Sequence, residues 1–229
     1  MRRPAAILVV LTLLFAGACG DDSTDAEDPV GSGEDTTAPS SGGDATSEDA
    51  LHDKLLTVDD LPEGWTVDPS ADDDSGDDDS DSSEDDDETT PDCLKAAEGD
   101  DSSTASADAD FIKGEDFPSL SESLDVYPHD TIEDELATVI DVLDTCGDFH
   151  FTSDEVEISG SITRVASFPK FGDESAAWRM QMSAYGVAFD FAIVFVRQGD
   201  IALSVFYGDQ GTDAVQQVQP LVQLALAKV

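Results

Sequence analysis

SAAWRMQMSAYGVAFDFAIVFVRQGDIALSVFY, residues 175–207, decides the fold. Trp178, Met180 and Met182 alternate with Arg179, Gln181 and Ser183, the period of two that marks a strand. Phe189, Phe191, Ile193 and Phe195 share one face of a second strand. Gln198-Gly199-Asp200 is a tight hairpin signal, and Tyr185-Gly186 reads as a second turn. Strands are therefore expected at 175–185, 187–197 and 201–207. The same period reaches upstream to 155–158 and 161–168, which Gly160 separates. Links this short join antiparallel neighbours, so the whole stretch reads as a meander.

Helical spacing flanks it on both sides. Residues 129–146 place Ile132, Leu136, Val139, Ile140, Leu143 and Cys146 on one face. Asp130 and Glu133 resemble a capping box, and Gly147 stands where a C-terminal cap belongs. Residues 212–228 repeat the pattern through Val215, Val218, Leu221 and Leu226, with Thr212 as the N-cap and Pro220 expected to kink or restart the helix. Leu120, Leu124 and Val126 suggest an earlier strand with a slipped period. In LHDKLLTVDDLPEGW, residues 51–65, Leu51, Leu55, Leu56, Val58 and Leu61 give a short amphipathic helix or turn. Together these predict an α+β domain over residues 49–229, an antiparallel β-meander sheet packed by helices with one disulfide.

The formal net charge is -43, which excludes a phosphate-binding, nucleic-acid role. Residues 20–110 hold 33 acids and two bases, so the acidity belongs mainly to the first half. Residues 19–48 are acidic and nearly free of apolar side chains, and such a segment is expected to stay disordered as a tether. Residues 69–92 relapse into low complexity and are expected to form a disordered acidic insertion, followed by a further acidic loop up to Asp110. Asp72 to Asp87 lack the order of an EF-hand loop, so weak, diffuse cation binding is the expectation and no specific metal site is assigned.

Arg2 and Arg3 precede an apolar run, PAAILVVLTLLFAGA, too short for a permanent membrane span. Residues 1–18 are read as a signal peptide. Small residues immediately before Cys19 resemble the lipobox of bacterial lipoproteins. That resemblance implies cleavage before Cys19, a diacylglyceryl chain on its thiol, and an extracytoplasmic protein held to the cell membrane by its N-terminal lipid. A plain secretory peptide with Cys19 free is the alternative. Outside the cytoplasm disulfides persist. With Cys19 lipidated, Cys93 and Cys146 remain as an even pair, which reads as one bridge. A loop of that length makes the bridge worth about 4 kcal/mol in the chain-entropy account.

The string LLTVDDLPEGW, the Cys93-Leu94 pair, a helix ending in Cys146, a meander and a last helix ending in ALAKV together resemble actinobacterial lipoproteins related to the extracellular sensor domain of mycobacterial receptor serine/threonine kinases. The resemblance covers residues 50–229 apart from the acidic insertion. It implies a twisted antiparallel sheet flanked by helices, a ligand-binding cleft, and a family bridge that falls on Cys93 and Cys146. A second bridge that the family often carries across the late strands has no counterpart here, because residues 178–207 hold no Cys.

Catalytic patterns are absent. There is no Gly-x-Ser-x-Gly, no His-Glu-x-x-His and no Gly-rich phosphate loop with its Lys. His129 reads as helix entry and His150 as a surface or packed histidine. Trp178, Met180 and Met182 read as core, with ligand lining as the alternative. Catalytic residues, cofactor and metal are therefore each expected to be none. The function expected is a cell-surface lipoprotein with a ligand-binding or sensor-like domain that takes a small molecule or an envelope protein. The alternative is an envelope interaction or structural lipoprotein acting through its acidic surface.

Overall fold

The computed structural model describes residues 47–70, 102–153 and 156–229. In chain order they form α1 (Glu48–His52), a 3-10 turn (Val58–Asp60), β1 (Trp65–Val67), β2 (Ala105–Lys113), β3 (Ser119–Val126), α2 (Ile132–Cys146), β4 (Asp148–Ser153), β5 (Val156–Arg164), β6 (Glu174–Ala184), β7 (Val187–Gln198), β8 (Ile201–Asp209) and α3 (Ala214–Leu226). This is an α+β fold built on one eight-stranded sheet, ordered β1-β2-β3-β8-β7-β6-β5-β4. Every neighbouring pair is antiparallel.

Two hairpin runs meet in the middle. After β3 the chain crosses one face of the sheet as α2 to the far edge. It then returns as the meander β4 to β8, which brings β8 beside β3. At Tyr185 (φ 53) and Gly186 (φ 76) both turn residues are left-handed, the two-residue hairpin geometry whose twist matches its strands. In the β7–β8 turn Gly199 (φ 63) alone takes the left-handed conformation.

The sheet separates two cores. On one face α1, the chain just after it and α3 pack Leu51, Leu55, Leu56, Val218, Leu221 and Val222 against Phe111, Leu120, Leu124, Val194 and Val205. On the other, α2 packs Leu143 with Val139 and Ile140 against Ile158, Ile162, Trp178, Met180, Phe191 and Phe206. β7 is therefore apolar on both sides: Phe189, Phe191 and Ile193 face the second core while Ala192, Val194 and Val196 face the first. A strand covered on both faces loses polar alternation, which is why FAIVFV reads as an unbroken apolar run.

Several expectations need correction. Gly160 does not divide two strands, because β5 runs through it. A Cβ there would lie 2.5 Å from the Gln181 carbonyl oxygen and 2.5 Å from the Phe149 ring, so glycine marks a close approach instead of a turn. The acidic loop expected up to Asp110 is strand β2 from Ala105 onward. The capping box of Asp130 and Glu133 does not form: Thr131 is the N-cap, and the Pro128 carbonyl receives the Thr131 and Ile132 N–H groups and the Thr131 hydroxyl. α3 is capped by Asp213, whose side chain accepts the Gln216 N–H, while the Thr212 hydroxyl is engaged by Asp209. Pro220 lies inside α3, which continues past it to Leu226 because Leu221, Val222 and Ala225 beyond the proline are packed on the sheet. Val58 is exposed, so the first amphipathic element keeps only Leu51, Leu55, Leu56 and Leu61 inside. β4 was not foreseen, and it places His150 on an edge strand with its side chain exposed.

Candidate functional site

Cys19 and Cys93 lie outside the described residues, as do residues 1–18, the tether up to residue 46 and nearly all of the 69–92 insertion. Cys146 ends α2, half-buried beside the second core, and it is not a free thiol. Trp178 and Met180 are wholly buried in the second core, as their alternation suggested, and Met182 packs partly buried against it. The Trp178 indole N–H donates to Asp144 Oδ1 at 2.8 Å, and the Arg164 guanidinium carbon sits 5.5 Å from its ring centre while pairing with the same carboxylate. That ties α2 to β5 and β6 and gives the three residues a structural role. His129 is exposed at the entry to α2, where hydrogen bonding to Asp200 raises its pKa. No helix among the described residues is long and apolar enough to cross a membrane.

A polar surface is brought together by β2 and β3. On the face covered by α2, the apolar core draws on β4 to β8 and on nothing from β2 or β3. Since Ala105, Ala107, Phe111, Leu120 and Leu124 point into the opposite core, strand alternation turns the residues between them to this face. These are Ser106, Asp108, Asp110 and, at the end of the row, Ile112 of β2, and Ser119, Ser121, Ser123 and Asp125 of β3. The register sets them in rows: Asp108 opposite Ser123 and Ser123 opposite Ser204 of β8, then Asp110 opposite Ser121 and Ser121 opposite Phe206. The result is a shelf of hydroxyls and carboxylates.

Its electrostatics follow from partial burial. Burial raises the Asp110 pKa, the Ser121 hydroxyl bonded to it opposes that, and the charges of Asp108 and Asp68 add to the rise. The Ser123 hydroxyl donates to Asp125 Oδ2 at 3.0 Å. An aromatic cluster borders the shelf, with Phe206 5.2 Å from Phe191, and Phe117 5.4 Å from Phe189. At the α2 side Ser102 donates to Glu135 Oε1 at 2.8 Å. Such a surface accepts hydrogen bonds and attracts cations. No group of three metal-ligating side chains gathers among the described residues.

Two buried acids escape sequence reasoning. Asp190 on β7 meets Arg179 of β6, with Nε 3.0 Å from Oδ1, and its Oδ2 accepts the buried N–H of Ala214 at 2.9 Å. Arg179 also pairs with Asp213, so this cluster fastens the start of α3 to the sheet. Burial opposes the Arg179 charge, but the two carboxylates outweigh it and hold its pKa up. Glu122 occupies the central inward position of β3, between Leu120 and Leu124, and burial pushes its carboxyl up to about 7. The available signal was an acid at an inward position of an alternating strand, which looked like slippage in the period.

No protein-family model matches this chain, and no curated protein matches it. Among solved structures it is similar to the extracellular domain of PknH from Mycobacterium tuberculosis, at 11% sequence identity and a TM-score of 0.44. That match covers 56% of this chain and 65% of the PknH domain.

Proposed function

We propose that this chain is an extracytoplasmic lipoprotein whose folded domain captures a polar ligand without transforming it. The observation that carries the reading is the shelf of Asp108, Asp110, Ser121 and Ser123 beside the buried Ser204, polar residues on a part of the sheet that contributes nothing to the apolar core under α2. Its chemistry favours a ligand rich in hydroxyl donors or bearing amines: a glycan, a polyamine or a basic peptide of the envelope. The leader ending at Cys19 supplies the address, with the lipid on that cysteine and residues 20–46 as the spacer. A bridge between Cys93 and Cys146 belongs to the same reading, and the bound state of Cys146 supports it. No cofactor is assigned a role.

The test is amide shift mapping on the exported chain, titrated in turn with spermidine, a Lys-rich peptide and a panel of envelope glycans. Perturbations gathering at residues 106–110, 119–125 and 204 are expected for at least one of them. Shifts confined to residues 69–92 would instead favour the acidic surface as the interaction element, the alternative that the net charge of -43 supports. No saturable shift on β2 or β3 with any probe overturns the binding reading. Intact mass of the exported chain, with and without reduction, tests the lipid and the bridge.

A further inference from the structure

Glu122 stands on the opposite face of β3 from the shelf, and its surroundings define a device in the N-terminal part of the domain. Its side chain is 1% exposed. Across the ladder its neighbours are Ala109 of β2 and Val205 of β8, both apolar. Its Oε2 accepts the backbone N–H of Leu56 at 2.7 Å, while Oε1 has no hydrogen-bond partner among the described residues. Leu56 belongs to the segment 51–61, which lies over the sheet with Leu51, Leu55, Leu56 and Leu61 inside. The same segment is tied to the end of the chain, because Lys54 Nζ donates to the Val229 carbonyl oxygen at 2.9 Å and Lys228 Nζ donates to Asp60 Oδ2 at 2.7 Å.

The charged groups around Glu122 do not neutralise it. Lys228 is the cation that acts on it, and Lys228 is already engaged by Asp60, whose own charge works against ionisation of Glu122. Asp60 is held down to about 2 by its hydrogen bonds to Lys228 and Thr57, so it stays ionised. The other titratable side chains of the overlying segment, Glu48, Asp49, His52, Asp53 and Asp59, are exposed to solvent. On the sheet, the Tyr207 hydroxyl on β8 is engaged by Asp209. An ionised Glu122 would thus sit in the core as a charge with one oxygen unpaired, and a single proton removes that charge.

We infer that Glu122 is a proton-operated latch for the segment 51–61: it holds the segment on the sheet when the carboxyl is neutral and releases it toward water when the carboxyl is ionised. Burial sets the working range, since the docked group titrates near pH 7 and an undocked one near 4.5. Opening therefore releases a proton between those limits. It becomes easier by about tenfold per pH unit up to about pH 7 and then levels off. The segment is also where the folded body begins after residues 20–46, so the latch governs how firmly that junction is seated.

Hydrogen exchange on the exported full chain tests this. Amide protection at Leu55, Leu56 and Leu61 is measured at pH 5 and pH 8, corrected for intrinsic exchange and referred to amides of β6 and β7. The expected result is a drop in relative protection by roughly two orders of magnitude in the native chain, with little or no drop in Glu122→Gln, which keeps an acceptor for the Leu56 N–H. A carbon-detected titration of the Glu122 carboxyl must show its midpoint near 7, a readout that stands even where the variant does not fold. Relative protection that is unchanged with pH, an equal drop in Glu122→Gln, or a carboxyl midpoint near 4.5 each overturns the latch.

Discussion

Substituting Glu122→Gln removes one titrating group from the first core without changing its shape, and the structure fixes both the sign and the size of the effect on global stability. The folded carboxyl titrates at about 7 against an ordinary 4.5. Below 4.5 both folded and unfolded chains hold the proton, and the group's contribution is fully present. From there to 7 the unfolded chain ionises while the folded one does not, so stability is lost by about 1.4 kcal/mol per pH unit. Above 7 the loss is complete, about 3 kcal/mol. Gln escapes that loss and still accepts the Leu56 N–H. It leaves an amide N–H₂ where Oε1 now has no partner, a constant cost of about 1–3 kcal/mol. The prediction accordingly concerns the change with pH: the stability of the variant relative to the native chain rises by on the order of 2–3 kcal/mol between pH 5 and pH 8. Urea unfolding followed by the fluorescence of Trp65 and Trp178, one in each core, measures it at both pH values. All other titrating groups are common to the two proteins and cancel. A difference that is the same at pH 5 and pH 8 refutes the reasoning.

Gly160→Ala drives a Cβ to 2.5 Å from the Gln181 carbonyl oxygen and the Phe149 ring, and a thermal melt should show a loss of roughly 2–4 kcal/mol. Asp190→Ala strands the buried Ala214 N–H and leaves Arg179 with Asp213 alone. It should cost about 3–5 kcal/mol by urea unfolding, while Asp190→Asn, which keeps an acceptor, should cost less. Trp178→Phe deletes the 2.8 Å bond to Asp144 and leaves a smaller ring under Arg164. A loss of about 1–3 kcal/mol in chemical denaturation is expected, since Asp144 Oδ1 loses its indole donor while Oδ2 keeps the Arg164 pair.

The meander was legible because its turns carry their own chemistry: Tyr185-Gly186 and Gln198-Gly199-Asp200 fix two hairpins irrespective of what packs on them. The α2 stripe was legible for the same local reason. What failed depended on distant partners. Gly160 looks like a break until the Phe149 ring from β4 is laid across it. β4 itself carries Phe149 and Phe151 in alternation, but six residues following a helix are short enough to read as its exit. Ser119, Ser121, Ser123 and Asp125 have perfect period two, yet an acid at Glu122 on the apolar side hid it. None of these residues announced a site, because the rows that place Asp108 beside Ser123 and Ser204 exist only through the register of three strands.

The polarity of that shelf fits the connectivity. α2 is the helix that covers this face among the described residues, and it must carry the chain from β3 to β4, five strand spacings away in the sheet. At about 4.8 Å per spacing that is roughly 24 Å. A helix of 15 residues is about 22 Å long. That length matches the crossing from β3 to β4, and its first turn meets the chain leading into β2 where Ser102 donates to Glu135. The apolar stripe of α2 packs on β4 to β8 and takes nothing from β2 or β3, so their residues on this face are not drawn into that core. The Ser and Asp rows fit that position. A greasy ligand would find no matching surface on the shelf, whereas an amine or a polyhydroxylated one would find acceptors set at strand spacing. This is why the binding reading commits to polar chemistry.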